Sequence, residues 1–105
     1  MRKLLNGFKT IYMGKTERLS QIFKALGEET RLEIIKLLAQ NGEVGCTRIN
    51  HTFKLTRPAL SHHYRILKES GLVLKRKEGQ YFYLSLNRAI LKKYLPGFLE
   101  QINHT

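Results

Sequence analysis

A single cysteine, Cys46, leaves this sequence unable to form an intrachain disulfide, and a lone thiol suits a reducing compartment. Long apolar runs are missing as well, since no window approaches the roughly eighteen residues of a membrane span. The opening MRKLLNGFKTIYMGK is basic but lacks the apolar core of a signal peptide, so a cytoplasmic location is expected. No glycine-rich phosphate loop and no Ser-His-acid constellation are present. Ser61 and His62 fall on the open face of a short helix with no insertion to build a pocket, so an enzyme is not expected. The scarcest class relative to its opposite is the acids. Asp and Glu number 8 against 19 Lys and Arg, giving a net charge of +11 and a pI near 10.1. Such a field draws in polyanions, either nucleic acid or an anionic membrane surface.

What remains is an ordinary globular composition, 42% hydrophobic and 26% charged, on a 105-residue chain that is long enough for one core. Residues 1–15 read as a basic amphipathic extension. Leu4, Leu5, Phe8, Ile11 and Tyr12 form one helical stripe, interrupted by Gly7, and no acid accompanies Arg2, Lys3, Lys9 and Lys15. The stripe suits a membrane surface or a neighbouring helix. The absence of a lipidation motif favours the neighbour.

Residues 16–105 read as a single domain. Thr16 is placed to cap a helix whose stripe is Leu19, Ile22, Phe23 and Leu26, stopped by Gly27. Thr30 and Glu33 have capping-box spacing ahead of a central helix that carries Leu32, Ile34, Ile35, Leu37 and Leu38. After an Asn41-Gly42 turn, Val44 is a minimal strand and residues 47–53 a short helix with Ile49 and Phe53 inward. Lys54-Leu55 leaves room only for a tight turn before Thr56 caps the next helix, with Pro58 in its first turn. Two β-prone runs flank Lys77-Glu78-Gly79-Gln80 as a hairpin. A last stripe, Leu91, Tyr94, Leu95, Phe98, Leu99 and Ile102, starts near Asn87 and should bend or split at Pro96. The expected fold is mainly α with a small β-hairpin wing, a winged helix-turn-helix.

On the helix from Arg57, the residues Leu60, Tyr64 and Leu67 repeat at core spacing, and Arg57, Ser61, His62, Arg65 and Lys68 lie away from them. Such a helix fits the DNA major groove, where Arg pairs with guanine and Ser or His reaches base edges or phosphates. Between Lys54 and Lys77 seven basic residues face Glu69 alone, a net of +6, more than half of the excess charge. A merely solvated face explains the charges but not their segregation. His62 and His63 point about 100° apart and cannot chelate one ion as a pair.

Three blocks are recognisable in order. FKALGEETRLEIIKLL (23–38), LTRPALSHHYRILKESGLV (55–73) and KRKEGQYFYLSL (75–86) resemble the opening, recognition helix and wing of the ArsR/SmtB family of bacterial repressors. The resemblance implies a homodimeric repressor on an inverted-repeat DNA operator. It adds Thr56, Pro58 and Gln80 to the DNA-facing set, along with Lys75, Arg76 and Lys77 on the wing. It places His62 toward DNA and His63 between helix and body. The expected dimer surface comprises Leu19 and Ile22 with Leu91, Leu95, Phe98, Leu99 and Ile102. A rival is a winged-helix module whose basic surface binds RNA or an anionic membrane.

The family's metal ligands do not carry over. The thiolate positions of its arsenic and cadmium sensors fall on Gly45 and Thr47, with Cys46 between them. Its zinc positions on the last helix fall on Asn87, Ala89, Glu100 and Asn103, and His104 is one residue out of register. One thiolate cannot hold a soft metal alone, so neither metal nor cofactor is expected. A site built anew from His51, Cys46 or His104 is the remaining alternative. Arg48 is the one neighbour in sequence that would activate Cys46 as a redox thiol.

Overall fold

Helix starts are set here by whichever acceptor reaches the first orphan N–H groups, and two of the threonines lose that role. In the computed structural model, which describes residues 14–103, α1 is Lys15–Leu26 and begins on Gly14, so Thr16 lies inside its first turn. The helix stops at Gly27, as its stripe requires. The second helix, α2 (Glu29–Asn41), begins on Glu28, whose carboxylate accepts from the Arg31 backbone N–H at 2.9 Å. A joint of only Gly27 and Glu28 leaves no slack for a start at Thr30. The expected capping box is replaced by this longer acceptor, which also meets the positive end of the helix. Partial burial works against the Glu28 charge. N–H bonds from Arg31 and Thr30, with the charge of Arg31, outweigh it and hold the carboxyl below the usual range.

The chain continues through β1 (Val44–Gly45), α3 (Cys46–Phe53), α4 (Arg57–Glu69), β2 (Val73–Glu78), β3 (Tyr81–Leu86), α5 (Arg88–Tyr94) and α6 (Phe98–Ile102). The strands form an antiparallel sheet in the order β1-β3-β2. Glu78 pairs with Tyr81, so the hairpin turns on Gly79 and Gln80 alone. Gly79 takes φ 63°, as the first central residue of such a turn must. Pro96 splits the last stripe into two helices, and Gly97 makes the corner at φ 87°.

Ile34, Ile35 and Leu38 of α2 are inaccessible to solvent, together with Ile22, Ala25, Ile49, Leu67, Leu72 and Leu84. The central apolar helix is thus the floor against which α1, α6 and strand β3 of the sheet pack, with α3 and α4 resting on each other and on the strands. Burial of each such aliphatic side chain contributes about 1.5–3 kcal/mol.

One charge lies among them. Arg31, 9% exposed, donates from Nε to the Ala25 carbonyl at 2.7 Å and from Nη2 to that of Lys24 at 3.4 Å. These are among the last carbonyls of α1, which have no partner within their own helix. Its Nη1 donates to His63 Nδ1 at 3.3 Å, tying in α4. The imidazole must therefore be neutral with its proton on Nε2. Burial pushes the His63 pKa down; Glu28, whose Oε1 lies 3.8 Å away, opposes this, while Arg31 and His62 reinforce it. His63 sits between α4 and the body, the place the resemblance implied for it.

Two outcomes follow from this junction. Arg31→Met should strand the Ala25 carbonyl and His63 Nδ1, lowering stability by about 2–4 kcal/mol in urea unfolding. The folded chain holds His63 below the ordinary value of about 6.5. It therefore binds fewer protons there than the unfolded chain does. The His63 contribution is complete above that value and is lost as pH falls through the depressed folded value. The urea midpoint should fall on acidification from pH 7, and His63→Gln should flatten that part of the curve.

Candidate nucleic-acid interface

The two helices of the motif are joined through a backbone corner at Lys54, the single non-glycine residue with positive φ among those described. Asn50 braces the corner. Its Nδ2 donates to the carbonyls of Leu55 and Thr56, both at 3.1 Å, and its own carbonyl accepts from Leu55 N at 2.8 Å. Thr56 then caps α4, its Oγ1 accepting from Ala59 N at 3.2 Å, and Pro58 occupies the first turn. The entry of α4 is fixed by these local bonds. Sequence reading missed Asn50, although an Asn just before a tight turn is a usable signal.

Leu60 and Leu67 are buried and Tyr64 is half-buried, so α4 turns its other side outward. Arg57, Ser61, His62, Arg65 and Lys68 are all exposed there. Arg65 Nη2 donates to His62 Nδ1 at 3.2 Å, so these two form one unit on the open face. The His62 and His63 rings lie 5.7 Å apart and tilted by 60°, one outward and one inward.

The wing separates its three consecutive cations by strand alternation. Lys75 and Lys77 pair with Leu84 and Phe82 and share their face. Lys75 Nζ rests 4.6 Å from the Tyr64 ring centre and 4.2 Å from that of Phe82, and Lys77 Nζ lies 5.7 Å from Phe82. Arg76 faces the other way. Its Nε and Nη2 donate to the two carboxylate oxygens of Glu43 at 2.9 and 2.8 Å, and Nη1 donates to Glu78 at 2.8 Å. The guanidinium also stacks 4.7 Å from the Tyr83 ring centre. Of the three cations expected to contact DNA, Arg76 thus lies on the opposite face of the sheet from Lys75 and Lys77 and is already hydrogen-bonded. Its carboxylates hold it protonated more firmly than usual, and the Arg76 hydrogen bonds hold Glu43 below the usual carboxylate range.

Between α3, α4 and the wing lies a groove of about 580 Å³. Asn50, Arg57, Ser61, Lys75 and Gln80 all line it, so donors from helix and wing are brought to one concavity. Lys68 joins Lys75 and Lys77 along an adjoining hollow beside β2. Cys46 is at the groove wall, and burial pushes its thiol up against the opposing pull of Lys75. A thiol so placed is a poor nucleophile at neutral pH. Among the described residues no three of His, Cys, Asp or Glu converge on one point.

The apolar residues expected at a dimer surface divide. Ile22, Leu91 and Ile102 are buried within this chain's own core, which consumes them. Leu19, Leu95, Phe98 and Leu99 are half-buried. Phe23, expected to point inward, is instead 55% exposed, because Ile22, Ala25 and Leu26 fill the inner side of α1. With Leu26, Leu32, Leu95, Pro96 and Phe98 it lines an apolar groove of about 660 Å³. The stripe over residues 3–12 and His104 lie outside the described residues.

Comparison with known proteins gives a consistent answer. The sequence model of the bacterial regulatory proteins of the arsR family matches residues 28–75. An uncharacterised HTH-type transcriptional regulator of Bacillus subtilis, YceK, is 36% identical over 96 residues, covering 90% of this chain and 96% of the relative. The arsenical resistance operon repressor of Staphylococcus aureus is 40% identical over 75 residues, 71% of each chain. Among solved structures, the homodimeric winged helix-turn-helix DNA-binding domain Mb0332 of Mycobacterium bovis superposes with a TM-score of 0.70 at 24% identity. It covers 99% of this chain and 93% of that one, and at that identity the likeness is one of fold.

Proposed function

The chain belongs to the ArsR family of bacterial regulatory proteins, transcriptional regulators with a winged helix-turn-helix DNA-binding domain rather than enzymes, and on that premise we propose that it is a repressor that binds an inverted-repeat operator as a homodimer. The observation that carries this reading is the shared groove, in which Arg57 and Ser61 of α4 meet Lys75 and Gln80 of the wing. The α4 face reads base edges in the major groove, and the lysines hold phosphates alongside it. Held against aromatic rings, Lys75 and Lys77 bind with little further loss of side-chain freedom.

A single α4 reads too few base pairs to pick one site, so two copies related by a dyad are required. The groove around Phe23, Leu95 and Phe98 supplies the self-complementary apolar surface for that pairing. The M. bovis protein, with the same fold, is described as homodimeric, and the S. aureus relative as a repressor.

Selection from random duplex DNA tests the reading, and a dyad-symmetric consensus is expected. Equal affinity for single strands, or binding without sequence preference, would favour the RNA or membrane alternative. Against the selected duplex, Arg57→Ala or Arg65→Ala should cost about 1–3 kcal/mol and relax sequence preference. Removing Lys75 and Lys77 together should weaken all duplexes alike and flatten the salt dependence. Phe23→Glu tests the pairing without disturbing the core, because that ring is already largely in solvent. The variant should sediment as a monomer and lose specific affinity far more than nonspecific affinity. A Phe23→Glu dimer with intact discrimination would remove this groove from the interface.

A further inference from the structure

The hairpin is supported by a third strand over only part of its length. β1 pairs with Tyr83 and Leu84, and past that row Lys77, Glu78, Gly79, Gln80, Tyr81 and Phe82 form a two-stranded ribbon. A two-stranded ribbon has little stability of its own in water, and its twist is easily changed. Its direction must therefore be set where support ends, in the row Arg76–Tyr83–Gly45.

Arg76 crosses that row. From β2 its guanidinium passes over the Tyr83 ring on β3 and reaches Glu43, the residue just before β1. Two strand spacings, roughly 10 Å, are thereby bridged by one side chain. The Tyr83 ring lies directly over Gly45, since a Cβ built there would be in ordinary contact with two of its ring carbons at 3.5 and 3.6 Å. The fork is bidentate on Glu43 and carries a third bond to Glu78. An isolated exposed ion pair does little, but a bidentate, stacked network is the case in which such a pair has a measurable effect.

We infer that Arg76 and Glu43 form a positioning latch across the sheet that aims the wing, so that Arg76 acts on DNA through the placement of Lys77 and Gln80 rather than by touching phosphate. This rests on the DNA-binding reading above. It also makes Glu43, an acid in a basic protein, favourable for binding.

The sign of one substitution separates the latch from plain electrostatics. Removing a carboxylate raises the positive field, and by field alone Glu43→Gln should tighten every DNA complex. The latch requires the opposite for specific DNA. Affinities of wild type, Glu43→Gln, Arg76→Ala, Arg76→Lys and the Glu43→Gln/Arg76→Ala double variant are measured against the selected duplex and a scrambled one over a KCl series. Amide exchange of residues 76–83 is followed in parallel. Glu43→Gln is expected to lose about fivefold on the selected duplex, with no loss on the scrambled one. Arg76→Lys, which keeps the charge but not the fork, should resemble Arg76→Ala, and the double variant should be no worse than either single. Wing amides should exchange faster in all of them, with the salt slope unchanged. Tighter binding by Glu43→Gln, or a slope reduced by about 0.9 in Arg76→Ala, the value for one lost phosphate contact, would overturn the latch. If wild type prefers no duplex, the DNA reading itself has failed. Exchange then decides the latch alone: faster wing amides in Glu43→Gln sustain it, and unchanged ones refute it.

Discussion

A guanidinium buried at the meeting point of three helices is the constraint on which the other parts depend. Arg31 terminates α1 through the carbonyls of Lys24 and Ala25, opens α2 through its backbone bond to Glu28, and holds α4 through His63. Burying a cation is costly unless its donors are met, and here they are met by groups from separate elements. The angle between α1 and α4 is therefore tied to hydrogen-bond geometry and not left to aliphatic contact alone. Because α1 carries Phe23 and α4 carries Arg57 and Arg65, the same junction sets where an apolar groove lies relative to the helix proposed to face DNA. In the dimer proposed above, two such helices would meet two successive major grooves only if that relation is rigid.

Much of this was legible in the sequence, for physical reasons that can be named. The period of 3.6 sorted α4 correctly into Leu60 and Leu67 inside and Arg57, Ser61, His62 and Arg65 outside, and the same arithmetic separated His62 from His63. The turn chemistry of Gly79 and the break at Pro96 also depend on local backbone preference, and both lie where the sequence puts them. Thr30 failed as a cap because capping is a competition that Glu28 was better placed to win, and Thr16 failed because α1 begins on Gly14 with no side-chain cap at all.

Layering was harder to read. Periodicity marks the apolar side of a helix but not what covers it, so Ile22, Leu91 and Ile102 looked available to a partner although the chain's own core takes them. Phe23 failed in the opposite sense. Arg31 was invisible for a related reason, since a lone arginine in a helix reads as solvated until the carbonyls it serves are known. The Arg76 pair with Glu43 spans 33 positions, beyond the reach of any local pattern.

The alternation that separates Lys75 and Lys77 from Arg76 gives the wing a parity. Deleting one residue between Val73 and Lys75 would leave net charge, composition and hydrophobic content almost untouched. It would nonetheless rotate every later side chain of β2 to the other face. The two ammoniums would then sit over Glu43 and Tyr83, and the guanidinium would sit over Tyr64. A change of length in this strand must therefore come in twos if the lysines and Arg76 are to keep their own faces, which puts the reading frame of the strand under constraint along with its charge.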